Sequence, residues 1–284
     1  MRNDREMMEL IIGFAKADER VRAVILNGSR ANPEASRDCF QDYDIVCAVT
    51  EVEPFVRDRS WIGRFGEVLI MQTPDDTTLF PAEKHRPGFA FLMLFSDGNR
   101  IDLTFWPIDR LGEMEEDSLS VLLLDKDGAI GELPPPSNRS HLTQPPTAAQ
   151  FADCCNEFWW VSTYVAKGLW RRELPYAKAM LEGPVRAMLT QMLKWYVREQ
   201  SDVRADAGKE GKYLERHLPP AMWAQLVRTY ADGDYDRIWH ALFEMADLFR
   251  TAALAVAERR GFAYNRKEDG NVTEYLQRVR QMPR

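Results

Sequence analysis

Val21-Arg22-Ala23-Val24-Ile25-Leu26-Asn27-Gly28-Ser29-Arg30 is the stretch on which the fold turns. The run is rich in β-branched residues and stops at Asn27-Gly28, so a strand over Val21–Leu26 should run straight into a tight turn. Ser29 is separated by twelve residues from Asp42-Tyr43-Asp44-Ile45-Val46-Cys47-Ala48-Val49, a second apolar strand with two acids at its entry. Further strands are expected at Glu67–Met71, Phe89–Phe95 and Arg100–Phe105. The last two flank Ser96-Asp97-Gly98-Asn99, which holds the Asp-Gly pair favoured in hairpins. Upstream, Met7, Leu10, Ile11 and Phe14 recur at helical spacing across Glu6–Ala17.

Beyond this α/β third the pattern breaks. Residues 131–147, GELPPPSNRSHLTQPPT, hold five prolines and neither helical nor strand periodicity, as a linker would. Ala148–Trp170, Ala177–Arg198, Met222–Tyr230 and Tyr235–Arg259 then all show helical spacing, with Thr147 placed to cap the first. The expected architecture is α+β, with a mixed-sheet domain over residues 1–130 and a helical domain over residues 148–284.

The charge narrows the function. The 284 residues carry a net −7, divided as −10 over residues 1–130 and +3 over the rest. A sequence-independent nucleic-acid binder would carry a basic excess, so no nucleic-acid partner is expected. An acidic first half suits a metal ion or a polycationic small molecule. Cys39, Cys47, Cys154 and Cys155 form no CxxC pair, which argues against structural zinc and for reduced thiols. The four histidines show no metal-ligand spacing. Glu115-Glu116-Asp117 reads as a solvated charge run. Met1–Arg20 has no apolar signal core, and Phe89–Phe95 is too short to span a bilayer. A cytoplasmic protein with no membrane partner is expected, as a monomer or weak homodimer.

Three features of the first domain carry chemistry. In a strand, side chains at i and i+2 share a face, so Asp42 and Asp44 point one way and Tyr43 and Ile45 the other. By the same rule Asp102 lies opposite Ile101, Leu103 and Phe105. If these strands are neighbours, three carboxylates converge, repel one another, and are stable as anions with a divalent cation among them. Mg²⁺ suits that donor set. Gly28 lets backbone approach a phosphate, Ser29 adds a hydroxyl, and Arg30 adds a cation matched to phosphate geometry. Together these imply a nucleoside triphosphate with Mg²⁺, and displacement at phosphorus.

Strand, Gly-Ser, Asp-x-Asp and a third strand Asp resemble the nucleotidyltransferase superfamily that includes DNA polymerase beta. NGSR, FQDYDI (Phe40–Ile45), LMLFSDGNRIDLT (Leu92–Thr104), LLDKDG (Leu123–Gly128) and DCCNEFWWVSTYVAKGL (Asp153–Leu169) further resemble the aminoglycoside 6-adenylyltransferases, which modify streptomycin and give antibiotic resistance. The similarity continues through Gly208-Lys209, Lys212-Tyr213 and Leu248-Phe249-Arg250, nearly the whole chain. It departs at Asn27, where an apolar residue often precedes the glycine, and most of all over Phe262–Arg284. The resemblance implies transfer of AMP from ATP to a streptomycin hydroxyl, with Mg²⁺ and release of pyrophosphate. Asp42, Asp44 and Asp102 would hold the metal, with Asp102 also the general base; Gly28, Ser29 and Arg30 would hold the triphosphate. A different small hydroxylated acceptor, or a protein, is the alternative.

The helix over Ala148–Trp170 supplies an acceptor surface. Phe151, Phe158, Val161 and Val165 make its core stripe, and Asp153, Glu157, Trp160, Tyr164 and Lys167 run along another face. Asp153 and Glu157 suit guanidinium or ammonium groups of a cationic acceptor, Trp160 and Tyr164 suit a sugar or base, and Lys167 suits phosphate. Lys209 and Lys212, in Gly-Lys-Glu-Gly-Lys, are further phosphate candidates.

Overall fold

Asn3 and Glu6 close a reciprocal capping box at the head of α1 (Asp4–Ala17), which buries Met7, Ile11 and Phe14. This computed structural model describes residues 1–79, 86–114, 116–200 and 207–283, so His85 and Glu115 lie outside the described residues. The chain divides into two units, Met1–Ser140 and His141–Arg284, each with its own apolar core.

In the first unit β1 (Val21–Asn27) runs into a single helical turn, α2 (Gly28–Ala31), and β2 (Tyr43–Val49) follows. After a short helix, α3 (Glu53–Arg57), come β3 (Val68–Gln72), β4 (Phe89–Phe95), β5 (Arg100–Pro107) and β6 (Ser120–Asp125). They form one six-stranded sheet in the order β3-β4-β5-β2-β1-β6. All neighbours are antiparallel except β2 and β5, which run parallel, so the sheet is mixed. The α+β class is as expected. Strand β6 was not anticipated: its six residues are all half-buried and show no alternation. It exists because it pairs with β1, almost a hundred residues upstream.

Alternation gives the sheet two unlike faces. Tyr43, Ile45, Cys47, Ile101, Leu103 and Phe105 pack into the main core with α1. There Phe55 stacks on Phe105 at 4.1 Å between centroids, and Trp61 meets Phe105 edge-on. The opposite face carries a small apolar patch of Ile25, Val46 and Trp106. Asp44, Asp102 and Thr104 lie on this second face, left free for chemistry because the first face supplies the core.

The second unit is helical. Thr147 caps α4 (Ala148–Trp170) through Gln150, as its sequence predicts. The long helix expected from Ala177 is broken into α5 (Leu174–Met180), a π turn (Leu181–Val185) and α6 (Arg186–Gln200). Pro184 is the cause: it lacks an N–H and its ring crowds the preceding turn, and a wider turn absorbs both. Arg186, buried beside this turn, donates to Glu182, to the Thr229 hydroxyl and to the Thr229 carbonyl. The helices α7 (Leu214–His217), α8 (Pro220–Arg228) and α9 (Tyr235–Arg260) follow, and Phe249 of α9 stacks on Phe158 at 3.9 Å. The C-terminal segment forms α10 (Arg266–Gln281), packed on α4. Its buried Asp269 takes a two-pronged contact from Arg250 at 2.6 Å on each oxygen, and a hydrogen bond from Tyr264. Among the described residues no helix is long and apolar enough to cross a membrane.

Candidate active site

Register builds the first site. Asn27 of β1 stands opposite Asp44 of β2, and Asp44 stands beside Asp102 of β5. The chain therefore leaves β1 at Gly28 directly over the Asp44 carboxylate. Gly28 has φ +71°, and a Cβ there would collide with Asp44 Oδ2. Glycine is required twice, for the left-handed backbone and for the close approach. Asn27, the residue that departs from the usual apolar type, accepts a hydrogen bond from Ser120 Oγ at 2.9 Å and so ties β1 to its β6 partner.

Asp44 and Asp102 line a cavity of about 810 Å³ with Thr104, Trp106, Arg86 and Asp117. Asp42 stands at the entry of β2, one residue outside the paired strand. Arg100 joins the carboxylates. Its Nε and Nη2 donate to the two oxygens of Asp102 at 2.8 and 2.7 Å, and its Nη1 lies 3.5 Å from Asp42 Oδ2. Burial, then the negative charges of Asp102 and Asp42, push the Asp44 carboxyl up to about 6. Burial also raises Asp42, against the pull of Arg100.

These residues fit a divalent cation by donor chemistry. All three are hard oxygen ligands, and burial together with the neighbouring carboxylates makes the Asp44 anion costly without a cation beside it. As the side chains stand, no three acidic, histidine or cysteine groups among the described residues are gathered tightly enough to hold a metal. The Arg100 guanidinium lies between Asp42 and Asp102 instead.

The residues expected to contact phosphate do not stay together. Gly28 borders the cavity with Ser29 next to it. Arg30 does not point there. Its guanidinium stacks on the Tyr43 ring, 3.7 Å from the centroid, on the face turned away from Asp44. It donates to the carbonyls of Gln41 and Asp42 and to the Asp4 carboxylate. With those partners and only 9% exposure, the Arg30 side chain is held by the protein rather than directed into the cavity.

The second unit has a cavity of its own, about 640 Å³, bordered by Asp153, Glu157, Gln150, Gln191, Lys194 and Trp195. Asp153 and Glu157 are both exposed and border it together with Lys194, and among the described residues neither forms an ion pair. The rest of the α4 stripe lies outside this cavity. Trp160 Nε1 donates to the Tyr164 hydroxyl at 2.7 Å, and Lys167 Nζ sits 4.4 Å over the Tyr164 ring. Lys209 and Lys212 are exposed, Lys212 resting on Tyr213, while Gly208 of the same loop borders the cavity.

Sequence reasoning missed Arg100 and Asp117. Arg100 was within reach of it, because Arg100 and Asp102 share a strand face by the same i, i+2 rule that paired Asp42 with Asp44. Asp117 was not: in sequence it is one acid in a charged run, and only tertiary packing brings it to the cavity, where it adds to the charge around Asp44.

A mixed sheet with a glycine turn over an Asp-x-Asp strand and a third acid on the adjacent parallel strand defines a nucleotidyltransferase, and this chain is an enzyme of that class. It belongs to the streptomycin adenylyltransferase family, whose model matches residues 1–279. It is 40% identical over 281 residues to an aminoglycoside 6-adenylyltransferase of Bacillus subtilis (strain 168), with 98% of each chain covered. An aminoglycoside 6-adenylyltransferase of Campylobacter jejuni is 39% identical over 265 residues, covering 93% of this chain and 91% of the relative. The crystal structure of an aminoglycoside 6-adenyltransferase from Bacillus subtilis has 36% sequence identity and a TM-score of 0.49, covering 99% of this chain and 100% of that one.

Proposed function

We propose that this enzyme transfers AMP from ATP to a hydroxyl of an aminoglycoside, streptomycin in the first instance, and releases pyrophosphate. The observation that carries the reading is the register Asn27–Asp44–Asp102, with Gly28 packed on the Asp44 carboxylate. Asp42, Asp44 and Asp102 would hold Mg²⁺, which when bound neutralises charge on the triphosphate and polarises the reacting phosphorus. Gly28 and Ser29 present backbone N–H groups and a hydroxyl to the phosphates. Asp102 accepts the proton of the acceptor hydroxyl. The freed oxygen then bonds to the α-phosphorus of ATP, and the bond from that phosphorus to pyrophosphate breaks. For Asp102 to act, Arg100 has to release it, and the neighbouring phosphates offer the guanidinium an equivalent partner.

The second-unit cavity supports a small cationic acceptor. Its volume suits an antibiotic-sized molecule, and the exposed Asp153 and Glu157 suit guanidinium groups, which carboxylates bind in forked pairs. Trp160 and Tyr164 offer stacking surfaces one and two turns further along α4. Lys167, Lys209 and Lys212 are proposed as secondary contacts to the nucleotide phosphates.

The test is incubation with ATP, Mg²⁺ and a panel of aminoglycosides, following pyrophosphate. Metal- and streptomycin-dependent release is expected. Release with a different acceptor and none with streptomycin would overturn the acceptor assignment and leave the class of chemistry standing.

A further inference from the structure

Asp42 differs from the other two carboxylates in what holds its backbone. Asp44 and Asp102 sit inside the paired region of β2 and β5. Asp42 precedes the first paired residue, Tyr43, and the sheet does not hold its carbonyl. That carbonyl and the one before it are held by one side chain: Arg30 Nε donates to Asp42 O at 3.1 Å, and Arg30 Nη2 donates to Gln41 O at 2.9 Å. The guanidinium is fixed in turn. Its Nη1 meets Asp4 Oδ1 at 2.7 Å, its plane rests on Tyr43, and the Tyr43 hydroxyl donates to the same Asp4 oxygen at 2.9 Å. Arg30 also belongs to the turn that begins at Gly28. One side chain thus links the first turn of α1, the glycine turn and the entry of β2.

We propose that Arg30 is a positioning residue for the metal site. It sets the backbone of Asp42, and through it the aim of the Asp42 carboxylate, from the face of the sheet opposite the chemistry. This rests on the reading of Asp42 as a metal ligand. Groups that orient metal ligands from behind commonly matter to affinity almost as much as the ligands do. The fork geometry matters as well. Lysine could reach one carbonyl, but it cannot bridge two and stack flat on a tyrosine at the same time. Asp4 extends the device to the N-terminal helix, so the first turn of α1 is coupled to the site through two hydrogen bonds.

The experiment measures Mn²⁺ binding to the full-length protein, by electron paramagnetic resonance of the free ion and by calorimetry, without acceptor. Arg30→Met is expected to weaken Mn²⁺ binding by about 10–100-fold. Arg30→Lys should restore little of this, and Asp4→Asn should give a smaller loss of the same kind. In Asp42→Asn the further change Arg30→Met should have no additional effect on Mn²⁺, because the group it aims is already gone. A purely structural Arg30 would lower the melting temperature of both backgrounds and leave Mn²⁺ affinity intact. That result would overturn the proposal, and so would Arg30→Met weakening Mn²⁺ equally in the Asp42→Asn background. A direct phosphate role would instead show as weaker ATP binding measured without metal, with Mn²⁺ affinity unchanged. If Asp42→Asn alone leaves Mn²⁺ binding untouched, the metal assignment fails first, and the two failures are told apart. Tyr43→Phe removes one bond to Asp4 but keeps the ring under Arg30 and the Arg30 fork, so it should lose less Mn²⁺ affinity than Arg30→Met, and an equal or larger loss would overturn the proposal.

Discussion

Asp44→Asn should stabilise the metal-free protein at neutral pH while removing its activity. In the folded chain burial, then Asp102, then Asp42, raise the Asp44 carboxyl from 3.8 to about 6. A difference of that size corresponds to about 3 kcal/mol. The sign follows from proton counting. Between 3.8 and about 6 the folded state holds a proton that the unfolded state has released, so stability falls as pH rises through this window. Above it the full deficit is present, and near pH 5 about half has been recovered. An amide has no charge to desolvate and escapes the deficit. It also forfeits the attraction of Arg100 and needs partners of its own, which brings the expected gain to about 1–2 kcal/mol near pH 7.5. Urea unfolding of both proteins in EDTA, near pH 5 and near pH 7.5, measures this. A gain that shrinks at the lower pH is expected, with Mg²⁺ stabilising only the wild type. An Asp44→Asn protein less stable than wild type at neutral pH, or a gap that ignores pH, would refute the reasoning.

Three further substitutions probe the other parts. Gly28→Ala should cost about 1–2 kcal/mol for the left-handed backbone, measured by urea unfolding. It should also lower turnover by about 100-fold, since the new methyl displaces the Asp44 carboxylate; wild-type turnover would contradict this. Glu157→Gln is expected to raise the KM for the acceptor roughly tenfold and the KM for ATP much less, and equal effects on both would dismiss the acidic cavity as the acceptor site. Asp269→Asn should cost about 3 kcal/mol by stranding Arg250, with turnover per folded molecule unchanged. Burial works against ionised Asp269, but Arg250 and Tyr264 hold its carboxyl below the usual 3.8. Its contribution is therefore full at neutral pH and lost as pH falls through that lowered value, so an acid titration of wild-type stability should show a loss that the variant lacks.

The strand-turn-strand unit and the acids on it were legible because each depends on neighbours in sequence. Alternation alone assigned Asp42, Asp44 and Asp102 to the face away from Tyr43 and Ile101, and the structure keeps Asp44 and Asp102 there. The capped start of α4 was legible for the same reason. Strand β6 was not, since it shows no alternation and is held by pairing with β1, whereas α10 does carry helical spacing at Leu276 and Val279 behind a capping Asn265, a local signal that went unread. The α4 stripe was legible as a face but not as a site, since spacing cannot say which part of a face borders a cavity.

The basic residues mark the limit most sharply. Sequence by itself determined the class of chemistry, because strand and helix periods follow from backbone geometry and a Gly-Ser turn with paired acids has few other uses. It also determined the family, through blocks extending well beyond the shared chemistry. Only the tertiary structure decided where each charge is spent. Arg30, two residues from Gly28, is taken up by Tyr43, Asp4 and two carbonyls, while Arg100, seventy residues further on, lies among the carboxylates. A long cationic side chain can reach several partners of nearly equal merit. The choice falls to whichever carbonyl, ring or carboxylate the folded chain brings within hydrogen-bond distance, and local sequence does not encode that distance.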